Sequence, residues 1–221
     1  MSIFQAYAEV YDLFRDEEEL KKDAATVLEL AASPRTILDI GCGTATHWKY
    51  YPPSVVKLSG VERSPEMIAR SEFKNKITCR DLTDLRCYKQ MLYVDVVTAL
   101  FNVMNYVSNF FWWQYLPVTM GQYLVFDVWD YDKIQKEGFS QTVKRAGAWR
   151  RTITPLSVKS DRAVLTLDFF NEDTGKSFSE THVMYLYTAE DFFAACKKRF
   201  TVVKIKDTDR WKTWYAFRRI T

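Results

Sequence analysis

A pair of glycines directly after a short apolar segment is the first place where this chain could bind a ligand. Residues 36–40 are apolar apart from Thr36 and Asp39, and Gly41 and Gly43 follow them in a turn that leads to a short helical segment. Glycine lets a ligand approach the backbone closely, and the N-terminus of a helix favours a negatively charged group. Only 7 glycines occur in 221 residues, so two at this spacing indicate a specific backbone requirement.

Acidic residues near the ends of three apolar segments distinguish between two cofactors that contain adenosine. Asp39 lies in the first segment, Glu62 ends the second, and Asp81 follows the third. An acid at the end of the second strand of such a unit typically binds ribose hydroxyls, and Asp81 is well placed for an adenine edge. A pyrophosphate turn needs a third glycine where Thr46 stands, and Asp39 would repel a pyrophosphate but attract an ammonium group. An ammonium, a ribose and an adenine together favour S-adenosylmethionine (SAM) over NAD.

Alternating strands and helices must position these residues. Strands are predicted at 36–40, 55–61, 77–80, 94–100 and 123–128, and helices at 4–15, 17–32, 46–51, from Ser64-Pro65 onward and at 106–116. This alternation predicts a parallel sheet with helices on both faces. Longer β-rich segments at 141–154, 161–171 and 177–187 indicate an antiparallel insertion, followed by a helix at 189–198 and strands at 200–206 and 212–219.

Four segments resemble, in order and spacing, the motifs of the class I SAM-dependent methyltransferases. They are LDIGCGTATH at 38–47, GVERSPEMIARS at 60–71, RDLTDL at 80–85 and VDVVTALFNVMNYV at 94–107. A narrower resemblance covers nearly the whole chain, through AYAEVYD at 6–12, LVFDVWDYDKIQKEGF at 124–139 and ETHVMYLYTAEDFFAACKKRF at 180–200. These segments are similar to those of the nucleotide-sugar N,N-dimethyltransferases, and small-molecule N-methyltransferases are similar as well.

The resemblance implies an α/β fold of the Rossmann-like class I methyltransferase type. Such a fold has a mainly parallel seven-stranded sheet, here with a small antiparallel β insertion. Residues 1–221 would form one domain. Within it we expect a helical N-terminal lid at 1–33, a Rossmann-like core at 34–135 and 188–221, and a β-rich insertion on the substrate side at 136–187.

The resemblance also assigns residues to the methionine and ribose parts of the cofactor. Asp39, Gly41 and Gly43 match the motif that holds the methionine end. The family often has a third glycine where this chain has Ala45, whose methyl group is small. Glu62 matches the acid that binds the ribose hydroxyls.

Further positions match the adenine site and the strand-end contacts. Asp81 and Leu82 match the pair that binds the adenine edge. Leu100 and Phe101 follow the fourth strand, where the family makes backbone contacts to the methionyl amine and the substrate.

The remaining cofactor candidates have a second reading. Tyr7 and Tyr11 match tyrosines that cover the cofactor as a lid, but their spacing equally fits the core face of a helix. Arg63 directly follows Glu62 and could stack on the adenine or face solvent.

Methyl transfer itself demands few specialised side chains. The methyl group of SAM is already electrophilic, so the protein mainly aligns it with the acceptor for in-line displacement. An amine acceptor needs only to lose a proton, whereas a hydroxyl acceptor needs a base, for which His182, Asp130 and Tyr11 are the candidates. A structural histidine is the alternative role for His182. The Trp-Arg-Arg segment at 149–151 could bind an anion such as a diphosphate or lie on an ordinary solvated strand.

Composition argues against several other classes. The net charge is +3 with mixed signs, and Asn102 is followed by Val103 rather than by the Pro-Pro-aromatic run of base-amino methylating enzymes, so nucleic acid is a disfavoured partner. The 4 cysteines form no CxxC pair and only 2 histidines occur, so we expect no metal site. The N-terminus is acidic where a signal peptide is basic, and no segment approaches roughly 18 apolar residues, so we expect a cytoplasmic protein without membrane contact.

Two functions fit these observations. The first is a SAM-dependent methyltransferase that modifies an amine or hydroxyl of a small molecule, for which a nucleotide-linked amino sugar is a candidate. The alternative is a protein of the same fold that binds SAM or S-adenosylhomocysteine without transferring a methyl group. The β insertion could also serve as a homodimer surface.

Overall fold

A seven-stranded sheet forms the body of the molecule, which the computed structural model describes at residues 4–84, 93–108, 122–159, 161–207 and 211–220. Its strands are β1 Thr36–Ile40, β2 Lys57–Glu62, β3 Ile77–Cys79, β4 Val96–Ala99, β5 Tyr123–Trp129, β10 Phe200–Asp207 and β11 Lys212–Arg219. Their order is β10-β11-β5-β4-β1-β2-β3. Strands β1 to β5 pair in parallel, and β11 is antiparallel to both β5 and β10. The carboxyl ends of β1 to β5 therefore meet at one edge of the sheet.

Four α-helices accompany the described strands: α1 Glu17–Leu30, α2 Pro65–Arg70, α3 Tyr131–Glu137 and α4 Ala189–Cys196. Helix α2 begins where predicted, and Ser64 caps it, since its hydroxyl accepts the Met67 N–H at 3.2 Å. Helix α1 buries Ala24 and Val27 in the same apolar cluster as strand β1. Both α1 and residues 4–16 contribute side chains, such as Asp23 and Tyr7, to the cavity at the carboxyl edge of the sheet.

The β insertion is a four-stranded antiparallel sheet. Its strands, in spatial and sequence order, are β6 Thr142–Ala146, β7 Trp149–Val158, β8 Arg162–Asn171 and β9 Ser177–Tyr185. Alternate side chains of β8 and β9, such as Leu165 and Met184, are buried in one cluster with Tyr7 and Phe14 of the N-terminal segment. The predicted fold class, a mainly parallel seven-stranded sheet with a small antiparallel insertion, is confirmed.

Several predicted elements differ from the observed ones. Residues 4–15 form two short 3-10 helices, Tyr7–Glu9 and Asp12–Phe14, instead of one α-helix. The apolar spacing there suits a period of three residues as well as one of 3.6. The β-rich segment at 141–154 divides into β6 and β7 at Gly147, whose φ is +55°. The helix predicted at 106–116 falls largely on residues 109–121, which lie outside the described ranges.

The described residues contain neither a membrane-crossing helix nor a metal site, and their cysteines are unpaired. No helix among them is long and apolar enough to cross a membrane. No group of three or more histidine, cysteine and acidic side chains in these ranges could hold a metal ion. Cys42, Cys79 and Cys196 are free thiols, and Cys87 lies outside the described residues.

Candidate functional site

A large cavity lies at the carboxyl ends of β1 to β5, between the main sheet, the insertion sheet and residues 4–16. Its volume is about 1350 Å³. Open α/β sheets bind ligands at this edge. The predicted cofactor residues that line the cavity are Tyr7, Tyr11, Gly41, Gly43, Glu62, Arg63, Asp81, Leu82, Leu100 and Phe101. Three other predicted site residues, Asp39, Asp130 and His182, do not belong to the lining.

The glycine turn presents bare backbone to this cavity. Gly41 and Gly43 have φ of +66° and +57°, in the left-handed region that favours glycine. A Cβ on Gly41 would lie 2.7 Å from Val103 Cγ1, whereas a Cβ on Gly43 would lie 3.9 Å from the Tyr11 ring. Ala45 also adopts the left-handed region, at the position where the resembling family often has glycine.

Glu62 connects the glycine turn to the end of β2. One of its carboxylate oxygens accepts the Gly43 N–H at 2.9 Å, and the other accepts the Ser64 N–H at 2.8 Å. The side chain is buried, and this burial raises the pKa of Glu62 although the backbone hydrogen bonds oppose the effect. A carboxylate can accept about four hydrogen bonds. Glu62 therefore retains acceptor capacity toward the cavity that it lines.

Asp39 lies behind the turn instead of in the cavity. Its Oδ2 accepts from Trp48 Nε1 at 2.9 Å, and its Oδ1 accepts from Thr98 Oγ1 at 2.8 Å. The His47 Nε2 is also 2.8 Å from Oδ2, and both side chains are buried. The expected contact between Asp39 and an ammonium group stays a prediction, since the contacts of Asp39 in the structure are with side chains behind the turn and it does not line the cavity. Asp39 holds the turn through the 3-10 helix Thr46–Tyr50 that follows it.

Asp39→Ala is expected to lower the free energy of unfolding by about 2–5 kcal/mol. The reason is that the buried Trp48 and Thr98 donors would each lose their acceptor, at about 1–3 kcal/mol apiece. Urea unfolding measures the effect. The control is Glu72→Ala, which removes an exposed carboxylate 2.7 Å from Lys49 and should change the free energy by no more than about 1 kcal/mol. Equal losses in the two variants would contradict the assigned role of Asp39.

The turn after β4 is strained and is held by buried charges. Phe101 and Asn102 both have positive φ, at +60° and +63°, which costs a bulky residue such as phenylalanine about 1–3 kcal/mol. The Asn102 N–H donates to Asp127 Oδ1 at 2.7 Å. Lys212 Nζ lies 2.8 Å from Asp127 Oδ2 and 3.1 Å from Asp23 Oδ1. Burial lowers the pKa of Lys212, but the two carboxylates outweigh it and raise the pKa above its usual range, so this ammonium stays charged.

Arg15 brings a positive charge to the glycine turn. Its guanidinium donates to the Tyr11 hydroxyl and lies 4.3 Å from the ring centroids of both Tyr11 and Phe101. Arg15 lines the cavity. Burial raises the pKa of Tyr11 to about 12 although Arg15 opposes the effect, so the hydroxyl stays protonated near neutral pH. Tyr11 thus covers the turn but is unsuited to act as a base.

The rim at the ends of β2 and β3 is more open. Asp81 is exposed, and its Oδ1 accepts the Thr83 N–H at 2.8 Å. Arg63 is exposed, whereas Met67 is buried and also lines the cavity. This part of the lining offers an apolar surface beneath a polar rim, as a flat heterocycle requires.

The insertion sheet supplies an apolar wall with a few polar groups. Arg151 Nη1 donates to the Tyr7 hydroxyl at 2.8 Å, and its guanidinium lies 5.0 Å from the Phe14 ring centroid. The buried Nε of Arg151 has no hydrogen-bond partner among the described residues. The rest of this wall is formed by Ile153, Leu165, Leu167 and Met184, and Trp129 at the end of β5 lines the same cavity.

Two predicted catalytic residues lie outside the cavity lining for different reasons. Asp130 caps α3, where its Oδ1 accepts the Lys133 N–H at 3.1 Å, so its carboxylate serves the helix. His182 is fully buried one layer behind the wall, and its Nδ1 lies 2.8 Å from the hydroxyl of Tyr106. Tyr106 does line the cavity.

Sequence reasoning missed Arg15, Tyr106, Asp127 and Lys212. Arg15 carried a usable signal, since it follows Tyr11 by four residues and lies one helical turn away. The other three come from β5, β11 and the segment after β4. The order of the strands in the sheet brings these three residues together, and a single sequence does not indicate that order.

The comparisons with known proteins agree with this architecture. The chain matches no family model. It is 22% identical, over 209 residues that cover 86% of this chain and 87% of the relative, to the dTDP-3-amino-3,4,6-trideoxy-alpha-D-glucopyranose N,N-dimethyltransferase of Streptomyces venezuelae.

Solved structures resemble nearly the whole chain. An S-adenosylmethionine-dependent methyltransferase from Clostridium acetobutylicum superimposes with a TM-score of 0.75 at 17% identity, covering 98% of this chain and 99% of that one. DesVI from Streptomyces venezuelae gives a TM-score of 0.76 at 17% identity, with 96% and 98% covered. CalS10, an amino pentose methyltransferase from Micromonospora echinaspora, gives 0.68 at 19% identity, with 99% and 98% covered. The chain therefore has the class I SAM-dependent methyltransferase fold.

Proposed function

We propose that this protein is a SAM-dependent methyltransferase that acts on an amine, or on a hydroxyl, of a small molecule. The observation that carries the proposal is a single cavity that joins the predicted cofactor residues to a chamber walled by the insertion sheet. The curated relative is named as an N,N-dimethyltransferase of a dTDP-linked amino sugar. This name favours an amine over a hydroxyl and a nucleotide-linked amino sugar as the acceptor.

The ribose and adenine parts of SAM fit the edge formed by β1, β2 and β3. Glu62 is assigned to the ribose hydroxyls, since its carboxylate lines the cavity and its backbone hydrogen bonds from Gly43, Ser64 and Arg63 leave part of its acceptor capacity unused. The bare turn at Gly41 and Gly43 admits close approach of a ligand. We assign Asp81 and Leu82 to the adenine edge and Met67 to one face of the adenine ring, since all three line the cavity.

The methionine part fits the space between the glycine turn and the turn after β4. Arg15 is the cation offered to its carboxylate, because the guanidinium is fixed between two rings and retains further N–H donors. We assign the ammonium to backbone carbonyl groups of the two turns, which would accept its hydrogen bonds, since Asp39 lies behind the first turn. This division differs from the expectation that an acid on β1 contacts the ammonium directly.

Alignment and exclusion of water are the chemical tasks of this chain. When bound, SAM supplies an electrophilic methyl group on a sulfonium centre. Tyr7, Tyr11 and Tyr106 line the cavity that the cofactor and the acceptor would share. Aromatic faces stabilise cations and keep water away from the reacting atoms. Positioning two reactants in this way is a large part of catalysis for such a displacement.

The acceptor half suits a molecule with an apolar ring face and an anionic group. Leu165, Leu167 and Met184 provide the apolar surface, and Arg151 provides a cation with a free Nε donor among the described residues. A deoxygenated sugar that carries a diphosphate combines these two properties. The same wall offers little to a long nucleic acid, which requires an extended basic surface.

The test is transfer of an isotopically labelled methyl group from SAM to a panel of acceptors. The panel contains dTDP-linked amino sugars, free amino sugars, simple amines and hydroxylated metabolites, and mass spectrometry detects the product. Labelled product is expected with an amino-sugar nucleotide. If SAM binds but no acceptor in the panel is labelled, the proposal is overturned in favour of a SAM-binding protein without transferase activity.

A further inference from the structure

A tyrosine, a histidine and a glutamate form a chain of hydrogen bonds that leads from the cavity into the protein interior. The Tyr106 hydroxyl lies 2.8 Å from His182 Nδ1, and His182 Nε2 lies 3.2 Å from Glu180 Oε2. His182 is 0% exposed and Glu180 is 8% exposed, while Tyr106 reaches the cavity. The chain of hydrogen bonds thus runs from the acceptor chamber into the protein interior.

The position of this pair in the insertion sheet is unusual. His182 pairs in register with Leu165, and Glu180 pairs with Leu167, on the face of the sheet that is otherwise apolar. Burying a carboxylate in such surroundings is costly unless its oxygens are hydrogen-bonded. Glu180 meets that condition through His182 and two backbone N–H groups.

The hydrogen bonds define which imidazole nitrogen carries the proton. Burial raises the pKa of Glu180, but hydrogen bonds from His182 and from the Tyr7 and Phe4 N–H groups outweigh it and bring the pKa below its ordinary value. The carboxylate is therefore ionised and accepts the Nε2 proton of His182. Nδ1 is left with a lone pair, which accepts the hydroxyl proton of Tyr106. Tyr106, which lines the cavity, keeps its oxygen lone pairs as acceptors.

We propose that Tyr106, His182 and Glu180 form a proton relay that deprotonates the acceptor nitrogen. This inference rests on the proposed methyl transfer. The acceptor ammonium donates a proton to Tyr106 Oη while the Tyr106 hydroxyl proton passes to His182 Nδ1. One N–H and one O–H bond break, and one O–H and one N–H bond form. Tyr106 ends neutral, the amine gains a free lone pair, and His182 becomes an imidazolium paired with Glu180.

The concerted form of the step follows from the surroundings of Tyr106. Burial raises the pKa of Tyr106 far above its usual range, so a free tyrosinate does not form. The titratable groups that face the relay are Tyr7, Tyr11, Arg15 and Arg151, the last through the Tyr7 hydroxyl. Of these, Arg15 is engaged by Tyr11, whose hydroxyl stays protonated, so neither competes for the acceptor proton near neutral pH.

The N-terminal segment and the relay share the Glu180 carboxylate. The Phe4 N–H donates to Oε2 and the Tyr7 N–H donates to Oε1, each at 2.9 Å. The Phe4 ring also meets the His182 ring edge-on, with centroids 5.2 Å apart. The N-terminal segment thus supplies the two backbone hydrogen bonds that, together with His182, satisfy the Glu180 carboxylate. Tyr106 is the catalytic residue of this relay, and His182 and Glu180 are positioning residues.

The test is the pH profile of kcat/KM for methyl transfer in Tyr106→Phe and His182→Gln. Tyr106→Phe keeps the ring that packs on Phe4 and removes only the hydroxyl. Without the relay the protein must bind amine that is already neutral, and its fraction falls tenfold for each pH unit below the acceptor pKa. Both variants should lose about tenfold in rate one unit below that pKa and approach the wild-type rate above it. Calorimetry should give unchanged SAM affinity.

The matched control is Tyr51→Phe, which removes another buried tyrosine hydroxyl. Tyr51 lies outside the cavity lining, and its hydroxyl has no partner among the described residues. Its pH profile should match that of the wild type. An active wild type with unchanged profiles in both relay variants overturns the relay alone. An inactive wild type overturns the proposed function and, with it, the relay.

Glu180→Gln tests the link to the N-terminal segment. The amide has one acceptor oxygen, so it cannot serve both backbone donors and His182. Hydrogen exchange at the Phe4 and Tyr7 amides should become faster in this variant but not in His182→Gln, while the pH profile shifts in both. Unchanged exchange in Glu180→Gln would refute the coupling.

Discussion

Replacement of Glu62 by glutamine is expected to weaken SAM binding by roughly 10- to 100-fold, which is the loss of about 1.5–3 kcal/mol from hydrogen bonds to a charged group. The variant keeps the size of the side chain but removes the charge and one acceptor atom. The same loss is expected for 5′-methylthioadenosine, because this ligand also carries the ribose. Calorimetric titration measures both affinities.

The control for Glu62 lies four residues further along the chain. Glu66 accepts from Ser64 Oγ at 3.0 Å but does not line the cavity. Glu66→Gln should therefore bind both ligands as the wild type does. If Glu62→Gln binds SAM normally, the ribose does not lie at the end of β2 and the assigned orientation of the cofactor is wrong.

The pH dependence of binding provides an independent check on Glu62. Ribose hydroxyls donate to the ionised carboxylate, and burial has raised the pKa of this group above the ordinary value of 4.5. SAM affinity should therefore start to fall, on acidification, at a pH above 4.5. The fall should be missing in Glu62→Gln, which has no proton to gain. Identical pH dependence in wild type and variant would contradict this reading.

Replacement of Arg15 by methionine is expected to weaken SAM binding by about 100-fold, since removing one partner of a desolvated charge pair costs about 2–5 kcal/mol. Methionine retains much of the packing between Tyr11 and Phe101. Methylthioadenosine has no carboxylate, so its affinity should change little. This selectivity separates loss of the carboxylate contact from general damage to the site.

Comparing the affinities for SAM and methylthioadenosine distinguishes the effects of the two substitutions. Glu62→Gln should lose both ligands, whereas Arg15→Met should lose SAM alone. Thermal unfolding without ligand checks that each variant is folded. Equal losses of both ligands in Arg15→Met would contradict the assignment of Arg15 to the carboxylate.

Local patterns in the sequence were sufficient to predict which residues line the cavity at the ends of β1 and β2. The glycine turn at Gly41 and Gly43 and the acid at Glu62 lie within one βαβ unit, where turn geometry and strand ends follow from neighbouring residues. Ser64 as a helix cap has the same local origin. These features depend on short stretches of chain, so one sequence is enough to predict them.

The direction of the Asp39 side chain is an example of a feature that local sequence patterns do not determine. Its position on β1 is as predicted, but its carboxylate points to Trp48 and Thr98, which lie on a different helix and a different strand. These two buried donors hydrogen-bond to the Asp39 carboxylate and so fix its direction. The identity of these donors depends on packing across the sheet, which the residues around Asp39 in the sequence do not indicate.

The acceptor side depends on contacts that are distant in sequence. Tyr7 N–H meets Glu180 across 173 residues, and Arg151 meets the Tyr7 hydroxyl across 144. His182 was a candidate base by residue type alone. Its partner Glu180 lies two residues earlier on β9, whereas Tyr106 comes from the 3-10 helix Val103–Tyr106 after β4, 76 residues away in sequence.

The central claim is that the cavity at the ends of β1 to β4 binds SAM. Calorimetric titration of the purified protein with SAM, S-adenosylhomocysteine and NAD tests it most directly. We predict saturable binding of the first two ligands at one site and no binding of NAD. Tight binding of NAD without any binding of SAM would contradict the assignment of the cavity and, with it, the proposed reaction.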